Sequence, residues 1–168
     1  LFGHWITDLM KKGTKIICID PRLSWFGTRA KHHLRLRPGT DSALIMGFLN
    51  VIITEDLYDK NFRDKWTNGA HLIRKDTGKL LRESDFVENG DPGNFVAWDS
   101  TGNIPVVWDT VLVAYRDSKA RPCVSGEHTV ELWTGEQIVC HTAWDGFCNE
   151  VNKYPLEEVE KITGVPAD

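Results

Sequence analysis

The sequence has no excess of positive charge: 20 Lys and Arg stand against 24 Asp and Glu, for a formal net charge of −4. That balance argues against bulk nucleic-acid binding, which needs a basic footprint. No apolar run approaches the ~18 residues of a membrane-spanning helix, and no signal-peptide pattern is visible. Internal repeats and low-complexity segments are missing. The four cysteines and six histidines contain no CxxC or HxxxH spacing, so Cys123, His128, Cys140, His141 and Cys148 do not make a zinc motif. Cys18, inside an apolar strand, reads as plain core, and the cysteine count does not fix the redox compartment. No Met opens the chain. It begins at Leu1 and closes on "GVPAD", a helix stop followed by a cap for a further helix. The expectation is a piece of something longer, with any targeting signal upstream.

What is present suits a globular domain: 168 residues, 41% hydrophobic and 26% charged, enough to bury a sizeable core. Phe2, Trp5, Ile6, Leu9 and Met10 fall at helical spacing over residues 1–11, with Gly13 as the stop. Lys15 to Asp20 carries the apolar run Ile16, Ile17, Cys18, Ile19, which reads as a parallel strand covered on both faces and ended by Pro21. A short strand is expected over His33 to Leu36 before Pro38-Gly39 turns the chain. From Thr40 or Asp41, Leu44, Ile45, Phe48, Leu49, Ile52 and Ile53 mark a strongly amphipathic helix. A shorter one follows, capped by Asp59, with Phe62 and Trp66 facing inward.

At Thr67-Asn68-Gly69 the character changes. "FVAWDSTGNIPVVWD" and "TVELWTGEQIVCHTAW" each read as a strand, a Gly-containing turn and a strand. Helical signals return at Trp144 to Lys153 and at Pro155 to Ile162, where Pro155 suits a first turn and Glu157 and Glu158 favour a helix N-terminus. The expected organisation is an α/β segment over 1–69, a β-rich insertion over 70–143 and a helical return over 144–168. The fold class is α/β: a Rossmann-like parallel sheet segment with flanking helices plus inserted hairpins.

The stretch "KIICIDPRLSWFGTRAKHHLRLRPGTD", residues 15–41, carries the functional signal. Between Asp20 and Asp41 it places Arg22, Arg29, Lys31, Arg35 and Arg37, with no acidic residue. In open α/β sheets ligands lie beyond the carboxyl ends of the strands, and an acid there takes the hydroxyls of a ribose. Asp20 is so placed. A carboxylate such as Asp41 can accept two parallel hydrogen bonds from the N1 and N2 edge of guanine, and the arginines could meet phosphates. Each also has an ordinary reading, Asp41 as a helix cap and the cations as a solvated face.

"KGTKIICIDPRLSWFGTRAKHHLRLRPGTDSALIMGFLNVIITEDLYDKNFRDKWTNG" resembles the molybdopterin-binding region of the dimethyl sulfoxide reductase superfamily, the bis(molybdopterin guanine dinucleotide) enzymes of molybdenum and tungsten. "DPR" after a strand, "RPGTD" opening a helix and "LYD" with a following Phe occur together in the family's order. "YPLEEVEKITGVPAD" is similar to the family's segment before the next helix of that domain. The hairpin region with "AWDSTGNIPVVWD" resembles the branch containing acetylene hydratase and the catechol dehydroxylases.

The resemblance implies that Asp20 contacts the ribose of one guanosine, that Arg22 lies near the cofactor or braces that loop, and that Gly39, Thr40 and Asp41 frame the guanine with Asp41 on its N1 and N2 edge; Pro21 and Arg37 complete the expected cofactor-binding set. It implies molybdenum or tungsten as the metal and a [4Fe-4S] cluster outside this stretch, whose cysteine spacing is missing here. The metal's protein ligand also lies elsewhere, so no catalytic residue and no metal ligand is nominated. The implied partners are the rest of a catalytic subunit and an iron–sulfur electron-transfer subunit. The chain alone is expected to be inert, and the insertion to shape substrate access. The rival reading is a non-enzymatic interaction module presenting Trp98, Trp108, Trp133 and Trp144 on the hairpins.

Overall fold

The computed structural model of the protein describes residues 2–167, so the readings that reach Leu1 and Asp168 lie outside the described residues at those positions. In chain order the elements are α1 (Phe2–Lys11), β1 (Ile17–Ile19), a 3-10 turn (Gly27–Arg29), β2 (His32–Leu34), α2 (Asp41–Thr54), α3 (Lys60–Trp66), β3 (Leu72–Arg74), α4 (Glu83–Phe86), β4 (Phe95–Asp99), β5 (Ile104–Asp109), β6 (Ala114–Tyr115), β7 (Glu127–Glu131), β8 (Gln137–Thr142), α5 (Ala143–Val151) and α6 (Leu156–Thr163). This is a mixed α/β fold with small sheets: the parallel pair β1-β2 and two antiparallel sheets ordered β3-β8-β7 and β4-β5-β6.

Two compact units emerge, one from the described residues up to Asp56 together with those from Val151, the other Leu57–Glu150. The composition changes at 69/70 and 143/144, whereas the units divide at 56/57 and 150/151. The flanking helices join the hairpin unit because Trp144 donates its amide to the Gly69 carbonyl (2.9 Å) and its ring lies 5.0 Å from that of Tyr58.

In the first unit, β1 and β2 pair with Ile17 opposite His32 and Ile19 opposite Leu34. Ile17–Ile19 of the apolar run do form a parallel strand, but it is not covered on both faces, since Ile17 is 63% and Ile19 45% exposed. Cys18 is half-buried rather than core, with its sulfur 4.0 Å from the Ser24 hydroxyl. The second strand lies one to two residues earlier than the alternation suggested. Helix α2 buries Ala43, Leu44 and Gly47, and it packs on α6 around Leu44, Leu36, Val159 and Val165. At Gly47 a Cβ would stand 3.0 Å from a methyl of Val159, so glycine permits the close helix approach there. The helix is not a simple amphipathic one. Ile45, Phe48 and Ile52 are exposed on its other sides, the pattern of a helix built to be covered more than once. Pro155 precedes α6 at its N-cap rather than inside its first turn, which Glu157 and Glu158 occupy as expected.

In the second unit Asp59 caps α3, accepting from the Phe62 amide at 3.0 Å. Phe62 and Trp66 do not face inward: they are 57% and 76% exposed. Both expected hairpins form, Phe95–Asp99 with Ile104–Asp109 and Glu127–Glu131 with Gln137–Thr142. Val96, Trp98, Val130, Ile138 and Cys140 from the hairpins build one core with Leu72 of β3, Leu81 and Leu132. The first hairpin turn is tied by Asp99, whose carboxylate accepts from the amides of Gly102 (2.6 Å), Arg121 (2.6 Å) and Thr101 (3.3 Å). Buried Glu83 joins α4 to the sheet through the Asn94 amide (2.8 Å) and both terminal nitrogens of Arg116.

Candidate functional site

The parallel pair sets the site, because both sequence motifs leave the carboxyl ends of neighbouring strands. Asp20, Pro21 and Arg22 follow β1; the segment from Arg35 to Asp41 follows β2. Ligands of parallel sheets are met at that end. Asp20 extends the ladder, donating its amide to the Leu34 carbonyl at 3.2 Å. Its side-chain Oδ1 accepts from the Arg22 amide at 2.8 Å, an Asx turn that fixes the carboxylate and leaves Oδ2 for another partner.

The second loop is an Arg37-Pro38-Gly39-Thr40 turn, closed by the Thr40 amide on the Arg37 carbonyl (3.2 Å), with Gly39 at φ +82°. Proline then glycine at its centre is the chemistry of a type II turn, which needs a positive φ at the third position. Nothing lies within 4 Å of where a Gly39 Cβ would stand, so backbone conformation rather than crowding requires glycine. Thr40 is the N-cap of α2, yet its hydroxyl donates to the Arg37 carbonyl at 2.7 Å instead of capping. Asp41 is the first helical residue. It is exposed, and its carboxylate has no hydrogen bond or ion pair among the described residues.

The cations between the two acids are mostly committed. Arg29 lies over the Trp25 ring at 4.2 Å. Arg35 donates Nε to the Pro21 carbonyl at 3.0 Å. Arg37, named for the site by sequence, turns its guanidinium onto α6, donating to the carbonyls of Lys161 (2.5 Å) and Ile162 (3.1 Å). These are orphan carbonyls of a helix C-terminus, where a cation is favoured. Arg22 is 88% exposed, and its guanidinium lies 3.9 Å from Asp20. His33, which lies in the cationic stretch but is not nominated for the site by sequence, donates Nε2–H to the Asp20 carbonyl at 2.9 Å. Its signal was available in the H-x-R spacing of His33 and Arg35, which puts both side chains on one face of an extended chain.

The residues weighed for zinc do not converge. Cys123 and His128 are 3.5 Å apart, but Cys140 is fully buried in the core and His141 holds the Thr142 carbonyl. Burial pushes the Cys140 thiol up to about 11. Among the described residues no three His, Cys, Asp or Glu side chains gather as a metal would require. The tryptophans form no common surface: Trp98 is core, with its indole N–H on Asn103, and Trp108 and Trp144 are half-buried, leaving Trp133 exposed. Among the described residues no helix is long and apolar enough to cross a membrane.

The model of the molybdopterin oxidoreductase family matches residues 2–155. The chain is 29% identical over 190 residues to the perchlorate reductase subunit alpha of Dechloromonas aromatica, an alignment covering 98% of this chain and 20% of that protein. Over 78 residues it is 48% identical to the acetylene hydratase of Syntrophotalea acetylenica, covering 43% of this chain and 11% of that one. The solved structure of acetylene hydratase from Pelobacter acetylenicus superposes with a TM-score of 0.50 at 24% identity, over 96% of this chain and 12% of that one. The chain thus spans about a fifth or less of the length of these relatives.

Proposed function

The chain belongs to the molybdopterin oxidoreductase family, and we propose that it is the part of a catalytic subunit that binds the guanosine end of a molybdopterin guanine dinucleotide. One observation carries this reading: the Asp20 and Asp41 loops leave neighbouring parallel strands at the same end, and among the described residues Asp20 Oδ2 and the Asp41 carboxylate have no hydrogen-bond partner. Those free acceptors fit a nucleoside, which offers donors at the ribose hydroxyls and at the guanine N1 and N2 edge.

In this proposal Asp20 Oδ2 accepts from the ribose while Oδ1 stays on the Arg22 amide. Pro21 holds the loop, Gly39 and Thr40 frame the base, and Asp41 accepts from its donor edge. Arg22, exposed beside Asp20, is the cation placed near the pyrophosphate, and Arg37 serves by fastening the turn to α6. The β1-β2 pair would belong to a larger Rossmann-like parallel sheet, which agrees with the uncovered side chains of Ile17 and Ile19. When bound, the cofactor supplies redox or hydration chemistry through molybdenum or tungsten, and the protein binds and orients it. No side chain of this stretch is assigned a proton-transfer role, so the chain by itself is inert. An iron–sulfur cluster and an electron-transfer subunit belong to the proposed whole enzyme, and the hairpin unit to its substrate access.

Metal and nucleotide analysis of the full-length protein tests the proposal. Molybdenum or tungsten together with guanosine monophosphate, released on acid hydrolysis at two per metal, is expected. A folded protein, expressed with a functioning cofactor supply, that holds metal and pterin but no guanosine would overturn it.

A further inference from the structure

Two adjacent carbonyl groups in the Asp20 loop are each held by a side chain from the neighbouring strand. The ring of His33 donates Nε2–H to the Asp20 carbonyl at 2.9 Å, and a carbonyl only accepts, which fixes the proton on Nε2. Arg35 donates Nε–H to the Pro21 carbonyl at 3.0 Å. Residues two apart in an extended chain point the same way, so β2 and its continuation offer both donors from one face. The ring of His33 also lies against Gly27, whose Cβ position would be 3.4 Å from the ring atoms Cε1 and Nε2. Gly27 is buried, and its amide donates to Ser24 Oγ at 3.2 Å, so the return of the loop is tied to the same ring.

We infer that His33 and Arg35 form a clasp that sets where the Asp20 carboxylate stands, and that they act as positioning residues for the nucleoside without touching it. This rests on the nucleotide reading above. The chain of influence is short. Asp20 Oδ1 is tied to the Arg22 amide within the loop, so the carboxylate moves with the Asp20–Pro21–Arg22 backbone, and that backbone is pinned at its two carbonyls by the clasp. Losing either donor leaves the carbonyl to water and lets the loop sample other positions. Each lost bond, at the usual net worth of a protein hydrogen bond, weakens retention about fivefold.

The test uses the full-length protein and compares the wild type with His33→Leu, His33→Gln, Arg35→Met and the double variant His33→Leu/Arg35→Met. Two quantities are read: guanosine monophosphate retained per protein after dilution and washing, and amide exchange of the peptide covering residues 20–30 in the apo protein. His33→Leu and Arg35→Met should each retain nucleotide about fivefold less firmly and exchange faster in that peptide, with exchange elsewhere unchanged. The double variant should lose more than either. Glutamine keeps an N–H donor on a flexible stem, so His33→Gln should recover most of the retention. Wild-type retention in His33→Leu and Arg35→Met would overturn the clasp, as would a His33→Gln protein no better than His33→Leu. A wild type that binds no guanosine nucleotide defeats the nucleotide reading instead. The clasp is then decided by exchange alone, and unchanged exchange over 20–30 would end it.

Discussion

Replacing Arg37 with methionine separates a structural arginine from a phosphate-binding one. Methionine keeps much of the apolar stem and removes the donors that meet the Lys161 and Ile162 carbonyls at the end of α6. Both bonds leave one guanidinium nitrogen, so together they are worth about 0.5–1 kcal/mol net, and a cation at a helix C-terminus adds about 0.3–1 kcal/mol. The backbone bond from the Arg37 amide to the Thr163 carbonyl, 2.8 Å, survives the substitution. The loss should therefore total about 1–2 kcal/mol, a factor of about 5–30 in local opening. Hydrogen exchange over 156–164 in the apo full-length protein reads it directly, since helix amides exchange through such openings. A 5–30-fold loss of protection confined to α6 and the neighbouring turn is expected. Unchanged protection in α6 combined with loss of cofactor would refute the reasoning and return Arg37 to the phosphates.

Leu81 is fully buried in the core of the hairpin unit, so Leu81→Ala should destabilise it by about 2–5 kcal/mol in urea unfolding, and a loss under 1 kcal/mol would contradict that packing. His71 gives the pH dependence. Burial, with Arg82 nearby, lowers its imidazole from 6.5 to about 4, so the folded protein keeps it neutral where the unfolded chain protonates. Stability should fall as pH drops from about 6.5 to about 4, by roughly 3 kcal/mol in all, and be insensitive to this group above 7. His71 stacks on Phe95, so His71→Phe preserves the packing and should flatten the decline across that window. Equal slopes for variant and wild type would assign the decline to other groups.

Much of the fold was legible because its signals are local. The apolar spacing of Phe2, Trp5, Ile6 and Leu9 gives α1, Asp59 caps α3 as its residue type suggests, and the Gly-containing turns mark both hairpins. What was not legible is what stands opposite an apolar side chain. Ile17, Phe62 and Trp66 carry the pattern of buried residues and are exposed here, since periodicity records that a face is apolar and not what covers it. The motifs around Asp20 and Asp41 could be seen in the sequence as strand-end and helix-start acids. The destinations of the cations could not. Arg37 reaches residues more than a hundred positions away, and Arg35 and His33 spend their donors on backbone carbonyls, contacts that only the parallel pairing of β1 and β2 creates.

The central claim is that two strand-end acids read a nucleoside, and Asp41→Asn in the full-length protein tests it most directly. Asp41 has no partner among the described residues and sits in the first turn of α2, where loss of its charge costs the helix only about 0.3–1 kcal/mol. Toward guanine the change is larger: one acceptor oxygen becomes an NH₂ group facing a donor edge, and a charge-assisted hydrogen bond of about 1.5–3 kcal/mol is lost. The measurement is guanosine monophosphate and metal retained per protein, with the unfolding of the apo form beside it. The account predicts near-normal apo stability and retention lowered by an order of magnitude or more. Wild-type retention in Asp41→Asn would contradict it and leave Asp41 as nothing more than a favourable charge at a helix start.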